Sequence, residues 1–172
     1  MVNSSSKLRD KNNMNLKNIF TRTSFKGSDK EQRLFNGELR PKSVEGIIDK
    51  LKKDEIFVFG SNLDGYHGGG AAYLAFKKFG AIWGQGVGLQ GHSYAIPTMQ
   101  GGTETIKPYV DEFIAFAQKH TELYFYVTRI GCGIAGFTDA DIAPLFIDAV
   151  NIGNVALPKS FLSYYTDNDM AE

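Results

Sequence analysis

The chain has 172 residues, enough for one domain with its own core, and its 42% hydrophobic and 22% charged residues match a soluble globular protein. No apolar run reaches the ~20 residues of a membrane span and the N-terminus is polar rather than signal-like, which points to a cytoplasmic protein with no membrane partner. A single cysteine, Cys132, excludes an internal disulfide framework and suits a reducing compartment. The net charge of zero hides an asymmetry, with 13 Lys/Arg against 6 Asp/Glu in residues 1–53 and the reverse, 6 against 13, in residues 54–172.

Residues 1–40 read as a polar, basic N-terminal extension, partly disordered, with the globular domain over 41–165 and an acidic tail at 166–172. Within the extension, Ile19, Phe20, Phe25 and Phe35 are isolated apolar residues among charges. Ser43 has the chemistry of an N-cap, and Val44, Ile47, Ile48 and Leu51 are spaced as one helix face.

From residue 55 the pattern alternates between strands and helices. Glu55–Gly60 is a short apolar run of buried-strand type, and Gly69–Phe79 is a helix with Ala72, Ala75, Phe76 and Phe79 on one face and Gly80 as its stop. Residues 84–91 (GQGVGLQG) read as a mobile connection or lid, and Ser93–Pro97 as a second strand. Thr105 is placed to cap a helix with Ile106, Tyr109, Val110, Phe113 and Ala117 inward and Pro108 in its first turn. Leu123–Ile130 is the clearest strand, a helix begins near Asp141 with Pro144 early in it, and Asn154–Pro158 is a last strand. This alternation predicts an α/β fold of three layers, α/β/α, around a mixed, largely parallel sheet.

Of the 19 glycines, 15 fall between Gly60 and Gly136. Two glycine-rich loops each follow a predicted strand: Gly60–Ala72 and Gly131–Phe137. In an open parallel sheet both emerge at the carboxyl ends of strands, where ligands bind. Glycine there lets successive amides point into one concavity and lets backbone approach an oxygen closely, and the first loop opens a helix whose N-terminal amides favour anions. Neither loop is a Walker P-loop, and neither matches G-x-G-x-x-G at a strand–helix junction.

At these loops the sequence resembles the macrodomain superfamily. Asn62 followed by Gly68-Gly69-Gly70-Ala71 is similar to the signature in which an Asn precedes a glycine triplet and a helix. Arg129-Ile130-Gly131-Cys132-Gly133-Ile134, Phe76-Lys77-Lys78-Phe79-Gly80 and Tyr94-Ala95-Ile96-Pro97-Thr98 are similar to the branch containing the terminal ADP-ribose protein glycohydrolase, and to macrodomain-like proteins of bacteria and phages. The likeness spans about Glu55 to Pro158. It implies ADP-ribose, or an ADP-ribosylated macromolecule, held across the two loops. Asn62 is then near the distal ribose, Gly68, Gly69, Gly70 and Ala71 beside it, and Gly131, Cys132, Gly133, Ile134, Ala135 and Gly136 around the diphosphate, with Ile134 and Phe137 in apolar contact with a ribose.

The same resemblance leaves activity open. The acidic residue that many macrodomain hydrolases carry after the glycine triplet falls on Ala72, and the glycohydrolase branch's Asp and Lys fall on Ala135 and Met99. None of these side chains can move a proton or attack an anomeric carbon. His67 and Asp64, in the first loop, are the remaining candidates for a base, against the ordinary readings of an exposed loop histidine and a turn-forming aspartate. Cys132 lies between glycines in an amide-rich pocket of the kind that lowers a thiol pKa, against the ordinary reading of small core filling. Asp139 and Asp141 read as helix-start residues. His92 and His120 show no metal-ligand spacing with Cys132, so neither metal nor cofactor is expected. Three readings follow: a module that binds an ADP-ribose-type nucleotide, an ADP-ribosyl hydrolase with a non-standard catalytic set, and an RNA- or protein-interaction domain steered by the basic N-terminal segment.

Overall fold

The computed structural model describes residues 31–169. The expectations for residues 1–30 and for 170–172 lie outside the described residues. Among those described, no helix is long and apolar enough to cross a membrane.

The centre is a six-stranded sheet built from β3 (Ser43–Val44), β4 (Glu55–Ser61), β5 (Gly88–Gln90), β6 (Ser93–Pro97), β7 (Tyr124–Val127) and β8 (Val155–Pro158), in the order β3-β8-β7-β4-β6-β5. All neighbours pair in parallel except β5, which runs antiparallel to β6 at one edge. β4, β6, β7 and β8 are buried on both faces, which is why they read as unbroken apolar runs rather than alternating ones.

Successive residues of β4 point to opposite layers. Ile56 and Val58 join Tyr94, Ile96, Phe125 and Val127 under α2 (Thr103–Lys119), a 3-10 helix (Ala143–Ala149) and α4 (Lys159–Asp169). Phe57 and Phe59 face the other way, toward α1 (Gly70–Lys78), where Ala72 and Ala75 let the helix lie close to the sheet. The result is a three-layer α/β/α arrangement. Fully buried side chains such as Phe113 and Phe125 each stabilise it by about 2 kcal/mol.

Several local expectations are corrected. The helix expected from Ser43 is absent: Ser43–Val44 is a strand on β8, Gly46 takes φ +76°, and Ile48 and Leu51 pack against the core from a segment without regular structure. α2 starts earlier than expected, with Gly102 as N-cap, so Pro108 lies inside the helix on its exposed side. The Thr105 hydroxyl donates back to the Gly102 carbonyl at 2.6 Å instead of capping. The helix expected near Asp141 is a short α3 (Asp139–Ile142) that tightens into the 3-10 helix, opened by a reciprocal Thr138–Asp141 capping box. α4 was not expected at all.

The glycine-rich 84–91 segment contains β5 and is tied across itself by side-chain hydrogen bonds. The buried Gln90 side chain accepts from the Ile82 amide at 2.7 Å and donates to the Gln85 carbonyl at 3.1 Å. A Cβ on Gly65 would lie 2.3 Å from the Gln85 nitrogen, so only glycine lets this segment pack backbone-to-backbone on the first loop.

Finally, β1 (Gln32–Phe35) and β2 (Glu38–Pro41) form a hairpin with Asn36 and Gly37 both at positive φ, the Asn-Gly turn that matches strand twist. Arg40, 3% exposed, anchors β2 to the start of β4 through Asp54 (3.0 Å) and Glu55 (3.1 Å). The Tyr126 hydroxyl donates to the same Glu55 carboxylate at 2.5 Å, and the Arg40 guanidinium lies over the rings of Phe35 and Tyr124.

Candidate functional site

The cleft follows from strand order. After β4 the chain turns to one face of the sheet to form α1, and after the adjacent parallel strand β7 it turns to the other face to form α3. The carboxyl ends of β4 and β7 therefore part, and a crevice opens at this switch point. It measures about 230 Å³ and is lined from three strand ends and both glycine loops.

The first loop is shaped by Asn62. Its carboxamide oxygen accepts from the Tyr66 amide at 2.8 Å and its nitrogen donates to the Tyr66 carbonyl at 2.9 Å. Asn62 lines the cleft, but both ends of its side chain hold the turn. Gly69, Gly70 and Ala71 also line it, with Gly69 as the N-cap of α1. The first amides of a helix lack intrahelical acceptors, and α1 has no acidic residue in its first turn to answer them, so this rim of the cleft is electropositive.

The second loop is closed by its own backbone. Cys132 donates to the Arg129 carbonyl at 3.2 Å, Gly136 to Gly133 at 3.0 Å and Phe137 to Gly131 at 2.8 Å. Gly131, Gly133, Ile134 and Ala135 line the cleft. Gly131 has φ +74°, and a Cβ there would meet Ile142 Cδ1 at 3.0 Å, so both its conformation and its packing require glycine. Across the cleft the loops nearly touch: Ile134, 77% exposed, puts Cδ1 3.2 Å from where a Cβ on Gly69 would be.

Four of the expected ligand-binding residues, Gly68, Cys132, Gly136 and Phe137, are not among the lining residues. Gly68 faces Trp83, whose Cη2 lies 4.0 Å from its Cβ position, and Phe137 packs against the main core. Residues that sequence reasoning did not single out also line the cleft: Ser61, Tyr66, Thr98 and Thr128. All but Tyr66 sit at or just past the carboxyl end of a strand, a placement readable only once the sheet order is known.

Arg129 is the one charged side chain among the described residues lining the cleft. Its Nε donates to Asp139 Oδ1 at 2.9 Å and its Nη2 to Oδ2 at 3.0 Å, a two-point pair that fixes the guanidinium plane. Burial pushes the Asp139 carboxyl up, but Arg129, helped by Ser160, more than offsets this and holds it below its ordinary 3.8. The Cys132 thiol is pushed up to about 11, chiefly by burial and then by the Asp139 charge, and it donates to Asp139 at 3.7 Å. Burial first and the Asp139 charge second disfavour the thiolate, and Cys132 packs against the main core, the ordinary reading of a small core-filling residue rather than an activated thiol.

The two candidate bases stand outside the cleft. His67 is 0% exposed, donates from Nε2 to the Ile82 carbonyl at 2.9 Å, and lies edge-on to Phe59 and Trp83. It is neither an exposed loop histidine nor a cleft base. Asp64 is exposed on the loop and does not line the cleft. Ala72, Ala135 and Met99 do line it. Among the described residues, no three His, Cys, Asp or Glu side chains gather in a group that could hold a metal ion. Compared with known proteins, the chain has no matching family model, no matching curated protein and no matching solved structure.

Proposed function

We propose that the cleft binds ADP-ribose or a related ADP-ribose-derived nucleotide, free or attached to a macromolecule, and holds it by its phosphates. One observation carries the reading: among the described residues the one charged side chain lining the cleft is the cation Arg129, pinned by Asp139 beside the amides of two glycine loops and the N-terminus of α1. An anion is the ligand that such a lining stabilises, and two facing loops suit a diphosphate better than a single phosphate. The likeness to macrodomains narrows the anion to the ADP-ribose class.

Binding is favoured over hydrolysis. Among the described lining residues there is no Asp, Glu, His, Lys or Cys to take a proton or attack carbon. The positions where the macrodomain hydrolases that the sequence resembles carry a carboxylate or lysine hold Ala72, Ala135 and Met99, which line the cleft.

Calorimetric titration with ADP-ribose, with AMP and NAD as comparison ligands, tests the reading. Micromolar affinity for ADP-ribose is expected, and its loss in Gly133→Phe. Gly133 lines the cleft, and a Cβ there meets nothing within 4 Å, so the substitution fills the site without straining the fold. No heat and no thermal stabilisation at millimolar ADP-ribose would sink it.

A further inference from the structure

Tyr66 lines the cleft, yet its side chain is 61% exposed. Its ring lies 6.0 Å from that of Trp83, at 28°, and Trp83, the chain's one tryptophan, is 51% exposed. From there the surface continues onto α1. Phe76 meets the indole edge-on at 5.5 Å, and the Lys77 ammonium stands 5.9 Å from the Phe76 ring and 5.6 Å from that of Tyr73. Four exposed rings and a cation thus form one connected surface, running from the mouth of the cleft along the side of α1 turned away from the sheet. Exposed rings scattered singly are ordinary, whereas a contiguous set marks a contact site.

The surface is held to the cleft by the backbone. The Gly84 amide donates to the Gly65 carbonyl at 2.9 Å, so the segment carrying Trp83 is bonded to the loop carrying Tyr66. The Asn62 carboxamide holds both the amide and the carbonyl of Tyr66. The neighbouring edge strand β5 is less open to a partner: Gln85 Nε2 donates to the Val87 and Leu89 carbonyls, each at 3.1 Å. Recognition on this side therefore runs through the rings rather than through an added strand.

The composition of the surface describes its partner. The rings offer apolar contact. Lys77 and Lys78 are the only charges on α1, and the lysine ion pairs among the described residues involve Lys52, Lys107 and Lys159 instead. An apolar segment with acidic side chains complements both features. The position of the surface says what brings such a segment here. The resemblance implies the base-free ribose of ADP-ribose beside Asn62 and Gly69–Ala71, and that ribose is the one through which ADP-ribose is joined to a macromolecule. A carrier leaving the cleft there meets Tyr66 first and Trp83 next.

We propose that the surface formed by Tyr66, Trp83, Phe76 and Lys77 docks the polypeptide that carries the ADP-ribosyl group, through apolar and acidic side chains flanking the modified residue. The inference rests on the nucleotide reading above and adds a contact outside the cleft that free ADP-ribose does not make. Once the nucleotide is seated, the peptide contact becomes intramolecular and raises affinity with no new contact in the cleft. The protein therefore prefers carried ADP-ribose to free ADP-ribose.

Calorimetry on the full-length protein compares three probes. They are free ADP-ribose, a synthetic peptide with ADP-ribose on one side chain flanked by leucine and glutamate, and the same modified peptide with glycine and serine flanks. The leucine–glutamate peptide is expected to bind about 10-fold more tightly than free ADP-ribose, and the glycine–serine peptide no more tightly than free ADP-ribose. Trp83→Ala is expected to remove this advantage and leave free ADP-ribose unchanged. Lys77→Glu, on the exposed side of α1 and outside the core, is expected to reduce it. Equal affinity for all three probes overturns the docking surface and leaves the cleft reading standing. An equal loss of free and carried ADP-ribose in Trp83→Ala overturns it in the same way. If the protein sediments as a dimer that Trp83→Ala dissociates, the surface is a contact between copies and the proposal falls. If none of the probes binds, the nucleotide reading fails and the docking surface with it.

Discussion

Arg129 and Asp139 meet through two parallel hydrogen bonds, of 2.9 and 3.0 Å, at the edge of the cleft. The pair joins the second glycine loop to the start of α3 and leaves Nη1 of the arginine uncommitted to Asp139. A guanidinium fixed in this way offers a ligand phosphate a donor already oriented, and less ordering is lost on binding. Arg129→Gln should weaken ADP-ribose roughly 10-fold in calorimetry. Asp139→Asn should weaken it less, because the charge stays and only its placement is lost. Equal affinity in Arg129→Gln would remove the arginine from the phosphate site.

The glycines of the second loop separate into two kinds. Gly131 is held at φ +74° with Ile142 and Phe137 against its Cβ position, whereas Gly133 faces open space. Gly131→Ala should cost about 1–3 kcal/mol in urea unfolding. Gly133→Ala should leave stability within about 0.5 kcal/mol of the parent. Comparable losses in both would mean that the loop tolerates no side chain anywhere.

The hairpin anchor gives a sharper stability prediction. Arg40 is buried against Asp54 and Glu55, and removing it leaves the buried Glu55 carboxylate without its counter-charge. Arg40→Ala should cost about 3–5 kcal/mol by urea unfolding. Tyr126→Phe, which takes one donor from the same carboxylate, should cost about 1–3 kcal/mol.

The same anchor sets a pH dependence. The Arg40 hydrogen bond is the main cause holding the Asp54 carboxyl below its ordinary 3.8. A folded value lower than the unfolded one means the stabilisation is complete above ~pH 4 and is lost as pH falls through the folded value. The melting temperature of the parent should drop below ~pH 4, and Asp54→Asn should show a flatter profile from a lower plateau. A variant profile parallel to the parent's would exclude Asp54 as a source of the acid loss.

What the sequence made legible follows from how each element is stabilised. β4, β6, β7 and α1 were readable because burial alone determines them: unbroken apolar runs for the strands, and a closely packed alanine face ended by Gly80 for the helix. The Ser43–Leu51 segment carried helical spacing, but its strand pairing with β8 and the turn at Gly46 are decided by partners distant in sequence. α4 was missed because Lys159–Asp169 is polar and aromatic by turns and buries only Phe161 fully. The hairpin did have a local signal in Asn36-Gly37, obscured by the surrounding charge. In the cleft, glycine placement identified the two loops. It did not identify Arg129 as the lone charge, since that depends on which strand ends adjoin. Nor could spacing bring Tyr66 to Trp83: a loop-to-loop hydrogen bond does that.

The lone cysteine gives a test of the electrostatics around Arg129 that needs no ligand. Burial and the Asp139 carboxylate raise the Cys132 thiol to about 11, whereas a free thiol ionises near ~8.5. At pH 8 its thiolate fraction is then a few hundred times smaller, so alkylation by iodoacetamide should be about 100-fold slower than that of a free cysteine. Asp139→Asn removes a charge that disfavours the thiolate and releases Arg129, which favours it. Labelling of that variant, followed by mass spectrometry at the chain's single cysteine, should therefore accelerate even though Cys132 stays half-buried. Slower labelling in Asp139→Asn would show that access, and not the Arg129–Asp139 pair, governs the thiol.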